Sequence, residues 1–189
     1  MNIDDVKQIL TDIIREDHRA SEIIRHTRDL MKKAPFELRN VDLNDIVQET
    51  INFVSAIAYL RGIDLRTSLT DVSLPIRGDS IQLQQVIMNL LLNAADAMAQ
   101  SDPALRSTTV NTKRVDCFAE LSVTDTGPGI PFDKIASVFD PFFTTKASGM
   151  GMGLSIARSI VEAHGGEISV ENGSEGGAIF RVKLPIDEQ

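Results

Sequence analysis

The sequence predicts an α+β fold, a two-layer α/β sandwich with one mixed sheet and helices on one face, preceded by a long bundle-forming helix. Three observations predict it. Residues 4–33 hold a helical pattern without Gly or Pro. From Phe36 onward, short alternating segments interleave with longer helical ones. Asp, Gly and Pro punctuate the boundaries between them.

In the first segment Val6, Leu10, Ile13, Asp17, Ala20, Ile24, Thr27 and Met31 recur at alternating four- and three-residue steps, the spacing of a coiled-coil-like seam. Ile9, Ile14 and Ile23 widen the stripe toward a helical bundle, with Lys7, Arg15, Glu16, Arg19 and Arg28 on the charged side. Alone, such a helix leaves its stripe wet, so it needs a partner. Pro35 disfavours helix at Ala34 and ends it. The expected division is therefore 1–34, a single helix, and 35–189, a mixed domain.

Within that domain, 36–40 is a strand candidate, and Asp42 can cap a helix over 43–60 that Gly62 closes. Residues 63–69 and 74–77 read as strands. Asp79 caps a second helix to about Gln100, with Leu83, Val86, Ile87, Leu90, Leu91, Ala94 and Met98 on its buried side. Residues 108–115 and 118–124 read as a hairpin. A third helix over 151–164 ends in Gly165-Gly166, and strands follow at 167–170 and 178–184.

Composition narrows the function. A length of 189 residues with 42 % hydrophobic content and no Trp suits one ordinary core, or a core plus a long helix. A net charge of −8 argues against nucleic acid, which needs a clustered basic patch. No apolar run approaches the ~20 residues that span a bilayer, and no signal peptide is evident, so a cytoplasmic chain without membrane contact is expected. The single Cys117 excludes an intramolecular disulfide and a Cys-based zinc site, and beside Phe118 it reads as a small buried residue.

Four motifs follow in order. Asn89 and Asn93 are four apart on one helix face, where a neutral amide oxygen suits Mg²⁺ and its NH₂ suits a phosphate. Asp125-Thr-Gly-Pro-Gly129 follows a strand. It passes as a plain turn, but Asp125 can accept from an adenine amino group while Gly127 and Gly129 let the backbone bend round the base. Phe139, Phe142 and Phe143 surround Pro141, with Phe139 read as core and the others as packing a hinge under a mobile lid. Thr144-Thr145-Lys146 follows, and Lys146 can reach a terminal phosphate as a point charge. The run Gly149-Met150-Gly151-Met152-Gly153-Leu154 opens a helix, a common anion site, and lacks the Lys-Ser/Thr of a Walker loop.

The order and intervals of these motifs, over about 41–185, resemble the ATP-binding domain of sensor histidine kinases, in the superfamily of DNA gyrase, Hsp90 and MutL-type proteins. The Thr-Thr-Lys and Gly-Met-Gly-Met-Gly-Leu-Ser runs look like the oxygen- and nitrogen-sensing branch. The resemblance implies ATP and Mg²⁺ as cofactors and γ-phosphoryl transfer to a His on a dimerisation helix. It makes Asn93 the metal ligand assisted by Asn89, and Asp125 the adenine residue. Thr145, Lys146, Gly149, Gly151, Gly153 and Leu154 would line the nucleotide. Gly176-Gly177 matches the family's last glycine motif, taken as sheet packing behind the site.

Hydrolysing relatives carry a Glu where Asn89 stands; Asn cannot take a proton, which favours transfer over hydrolysis. A gyrase- or MutL-type ATPase and a non-catalytic nucleotide-binding dimerisation module are the rival readings. Many histidine kinases also carry a basic residue at position 96, where this chain has Asp. That departure places more weight on Lys146 and leaves Asp96 without a role.

Residues up to Lys33 resemble the second dimerisation helix of such kinases, and the first is expected to be missing. His18, His26 and His164 lack the flanking acid of the family's acceptor. His164 reads as the end of its helix. A chain incompetent for autophosphorylation is expected. The partners implied are a response regulator and a dimerisation-helix partner, as a homodimer in the full kinase, itself cytoplasmic or membrane-tethered.

Overall fold

Asp42 shows how local chemistry sets the first elements. It closes β1 (Arg39–Asp42) and caps α1 (Leu43–Leu60), accepting from the Asn44 N–H at 2.8 Å. Its second oxygen accepts from the Leu74 N–H at 3.1 Å and from the Ser73 hydroxyl. One carboxylate thus joins a helix start to a distant turn. Asp42→Ala is expected to lower stability by about 2 kcal/mol, one cap plus the bonds to the turn. A denaturant midpoint that falls with unchanged m-value would show it.

The computed structural model describes residues 37–144 and 151–187. The long N-terminal pattern with His18 and His26 lies outside them, as do Thr145, Lys146 and Gly149. After α1, which Gly62 follows at φ +65°, come β2 (Asp64–Ser68) and β3 (Pro75–Gly78). Next are α2 (Ser80–Ala97), β4 (Ser107–Val115), β5 (Phe118–Asp125), α3 (Gly153–Ala163), β6 (Glu167–Asn172) and β7 (Ala178–Pro185). Asp79 caps α2 as expected, accepting from the Ile81 and Gln82 N–H groups. The helix stops at Ala97, a turn short of Gln100. Short 3₁₀ segments at Pro103–Leu105 and Phe132–Ser137 carried no sequence expectation.

The main sheet has the order β2-β4-β5-β7-β6; β2 lies parallel to β4 and the other pairings are antiparallel. The expectation of one sheet is corrected in one respect. β1 and β3 pair with each other in a separate two-stranded ribbon, linked to the chain end by the Ile76–Ile186 bridge and by the Asp187 N–H, which donates to the Pro75 carbonyl at 2.9 Å. The turn held by Asp42, together with the Leu43 N–H to Leu74 carbonyl bond, pulls these strands to the start of α1.

Period-2 alternation decides the two faces. Ala119, Leu121 and Val123 of β5, with Ala178, Phe180, Val182 and Leu184 of β7, face the helices. There they meet Ile46, Val47 and Val54 of α1, Val86, Leu90 and Ala94 of α2, and Ala157 and Val161 of α3 in one core. Asp125 has the parity of Val123, so the helix-covered face receives a carboxylate at its end. The opposite face centres on the buried Glu120, beside Lys113 at 3.1 Å, Arg181 at 3.7 Å and Lys183 at 3.9 Å.

Cys117 is corrected from buried to exposed. It sits in the tight turn between β4 and β5, where Asp116 adopts φ +53°, the geometry that a two-residue hairpin requires.

Candidate functional site

The stripe 89, 93, 97 on α2 organises the site. Positions four apart lie one above another on a helix, so these three residues span about 12 Å along one face. At one end the Asn89 amide donates to the Gly153 carbonyl at 3.1 Å, tying α2 to the start of α3. At the other end Ala97 lies against the turn after β5: a Cβ on Gly127 would stand 3.3 Å from the Ala97 Cβ. Asn93 is half-buried between them. The structure therefore brings three of the four motifs onto one helix face.

Asp125 is 3 % exposed. Its Oδ1 accepts from the Gly127 N–H at 2.8 Å and from the Ala178 N–H at 3.4 Å. Burial raises its carboxyl above the ordinary range, and the two N–H groups offset that in part. Both backbone bonds fall on one oxygen, so the other can accept from a bound group. A Cβ on Gly127 would come within 2.8 Å of Oδ1, so glycine is needed there.

Gly129, at φ +76°, begins a segment that Asn172 clamps. The Asn172 amide accepts from the Ile130 N–H at 2.8 Å and donates to the Ile130 carbonyl at 2.7 Å. Sequence reasoning missed Asn172, because an Asn at a strand end before Gly reads only as turn material. The Gly176-Gly177 pair does more than pack behind the site. Gly177, at φ +73°, passes so near the Asp125 backbone that a Cβ would stand 1.8 Å from its carbonyl oxygen. That approach delivers the Ala178 N–H to the carboxylate.

α3 starts without a side-chain cap, and the Ser155 hydroxyl is spent donating to the Met152 carbonyl. First-turn N–H groups and the helix dipole thus favour an anion there. Leu154 packs against the core, so any ligand contact falls to its backbone. Gly151, at φ +67°, lies on the Phe142-Phe143 backbone: a Cβ would be 2.3 Å from the Phe143 carbonyl oxygen. Gly151 and the Phe142-Phe143 backbone, on either side of residues 145–150, therefore meet.

Phe139 packs edge-on against Phe180, with ring centroids 6.3 Å apart, as a core residue should. Phe142 departs from its expected packing role. Its φ of +67° turns the backbone outward and leaves it 73 % exposed. Asp96 forms an ion pair with Arg61 at 2.8 Å, beside the stripe. Among the described residues no cluster of three or more His, Cys, Asp or Glu could hold a metal, and no helix is long and apolar enough to cross a membrane.

The chain belongs to the histidine kinase-, DNA gyrase B- and HSP90-like ATPase family, whose model matches residues 78–188. Within it, the likeness is to sensor histidine kinases. The chain is 42 % identical over 171 residues to the sensor protein FixL of Bradyrhizobium diazoefficiens, covering 90 % of this chain and 34 % of that protein. It is 38 % identical over 187 residues to the sensor histidine kinase TmoS of Ectopseudomonas mendocina, covering 98 % of this chain and 19 % of that one. The solved catalytic domain of the histidine kinase ThkA matches with a TM-score of 0.71 and 30 % identity, over 79 % of this chain and 96 % of that one. ThkA solved in complex with the response regulator TrrA matches with a TM-score of 0.78 and 26 % identity, over 99 % of this chain and 53 % of that one. The described residues thus form an ATP-binding domain of the histidine-kinase type, and the chain spans only 34 % of the length of FixL and 19 % of that of TmoS.

Proposed function

We propose that residues 35–189 bind Mg·ATP and present its γ-phosphoryl group to a His on a dimerisation helix, with 1–34 supplying part of the dimerisation bundle. The observation that carries this reading is the α2 stripe, which runs from the Asp125 turn at Ala97 to the uncapped start of α3 at Asn89. The adenine amino group donates to Asp125. The phosphates lie toward the α3 N-terminus, and Lys146 adds a positive charge at the terminal phosphate. The Asn93 amide oxygen is a hard, neutral donor that fits Mg²⁺, which when bound neutralises phosphate charge.

In the transfer, an imidazole nitrogen attacks the γ-phosphorus, the bond to the β,γ-bridging oxygen breaks, and ADP leaves while the imidazole gives up its proton. The domain contributes position and charge neutralisation. A carboxylate of a response regulator then takes the phosphoryl group. Asn89 favours this chemistry over hydrolysis, because its amide, already donating to Gly153, cannot accept a proton from water.

The chain by itself is not expected to autophosphorylate. His164 is buried, and none of the three histidines is followed by an acid: Arg19, Thr27 and Gly165 come next. Incubation with labelled ATP tests both claims. Phosphohistidine should form only when a separate acceptor-helix protein is added. Steady phosphate release without transfer would support the hydrolase reading, and label on His18 in the chain alone would overturn the claim of incompetence. Asn93→Ala should remove the Mg²⁺-dependent part of ATP affinity and spare the metal-free part; equal loss of both would refute its role.

A further inference from the structure

His164 is the one histidine among the described residues, and the phosphoryl-transfer reading gives it no task. It caps the C-terminus of α3 and is 8 % exposed. Its Nδ1 lies 2.7 Å from the Ile160 carbonyl oxygen, and its Nε2 accepts from the Asp79 N–H at 3.0 Å. A carbonyl requires the hydrogen on Nδ1, and an N–H requires the lone pair on Nε2, so the pair of contacts defines a neutral ring with one tautomer. Gly78 makes room for it: a Cβ there would stand 3.2 Å from the His164 Cδ2 and 2.7 Å from Leu83 Cδ1.

Asp79 is the N-cap of α2, so this bond joins the end of α3 to the beginning of α2. The Asn89–Gly153 bond joins the beginning of α3 to the middle of α2. The two helices therefore run antiparallel and are pinned at two points about 16 Å apart, the length of α3 at its helical rise. One pin permits rotation about itself. Two pins fix both slide and angle. The apolar contacts between them, through residues such as Val86, Leu90, Ala157 and Val161, are non-directional and do not do this alone.

We propose that His164 is a positioning residue for nucleotide phosphates: by accepting the Asp79 N–H it locks the far end of α3 and so holds the α3 N-terminus against the Asn89–Asn93 face. The proposal rests on the nucleotide reading given above. It acts through Asp79 and α3, and His164 touches no reacting atom.

The two conservative amides separate its two bonds. Asn carries a nitrogen where Nδ1 lies, keeping the Ile160 contact, but is too short to reach Asp79. Gln places an oxygen near the Nε2 position and can accept the Asp79 N–H. The full chain and both variants are titrated with Mg·ATP and with adenosine. His164→Asn should weaken ATP by about three- to tenfold, the range of one lost hydrogen bond, and leave adenosine unchanged. His164→Gln should recover most of the ATP affinity, and amide exchange at Asp79 should be slow in the parent and the Gln variant and fast in the Asn variant. Equal losses in the two variants, or a parallel fall in ATP and adenosine, would reduce His164 to a general packing role and overturn the proposal. A parent chain that binds neither ligand would instead remove the nucleotide reading on which it stands.

Discussion

Asp125→Asn is expected to weaken ATP binding by about ten- to a hundredfold while leaving the domain at least as stable as the parent at pH 7. The binding loss follows from orientation. An amide can turn its oxygen toward Gly127 and Ala178, which sets its NH₂ against the adenine amino group. The opposite orientation sets the NH₂ against the two backbone donors. Either way two donors face each other. Guanine offers an acceptor where adenine offers its amino group, so the first orientation should improve GTP relative to ATP. Parallel titrations with the two nucleotides test this, and an unchanged ATP-to-GTP ratio would remove Asp125 from adenine recognition.

The stability half of that expectation comes from linkage. Burial holds the Asp125 carboxyl above its ordinary value, against the smaller effect of the Gly127 and Ala178 N–H groups. A raised folded-state value means the folded state favours the protonated form. The charge has no effect below the unfolded value and weakens the fold as the pH rises through the folded value. Removing it should thus raise the melting temperature at pH 7 relative to the parent, with the difference vanishing toward pH 3. A variant less stable at pH 7 than at pH 3, relative to the parent, would contradict the sign.

Gly177→Ala is expected to have the largest effect on stability, about 3 kcal/mol or more. The first contribution is the left-handed backbone at φ +73°, which costs an L-residue about 1–2 kcal/mol. The second is contact: at 1.8 Å the added Cβ overlaps the Asp125 carbonyl oxygen, and all three of its nearest atoms are backbone. Relieving it must separate β7 from the end of β5, at a further cost of about 1–3 kcal/mol. Gly176→Ala supplies the control. Gly176 also has positive φ, +100°, but the nearest atom to its added Cβ, the Gly127 carbonyl oxygen, is 4.0 Å away. Urea denaturation of both variants should therefore show Gly177→Ala clearly more damaging, with ATP affinity lost as the Ala178 N–H leaves Asp125. Equal effects would mean that backbone conformation alone explains the glycine.

Much of the scaffold was legible because its causes are local. Asp42 and Asp79 cap helices through N–H groups two or three residues away. The alternation of Ala119, Leu121 and Val123 sets one face of β5 without reference to any other strand. The Asn89 and Asn93 spacing places both on one helix face wherever that helix lies. Cys117 was misread because its apolar neighbour Phe118 suggested burial, whereas the turn that Asp116 enters at φ +53° leaves it exposed.

What the sequence by itself determined was therefore the run of elements, their apolar faces and the motifs of an ATP-binding domain, all of which depend on residues within a helical turn or two of one another. Only the tertiary structure decided which distant groups meet. The Ala178 N–H on Asp125, Asn172 on Ile130, Arg61 on Asp96 and the Asp79 N–H on His164 join residues between 35 and 85 positions apart. Such contacts depend on how helices pack on a sheet and on where a missing Cβ allows two backbones to touch. Short-range periodicity carries no record of either, because the same local pattern is compatible with many placements of the element that bears it.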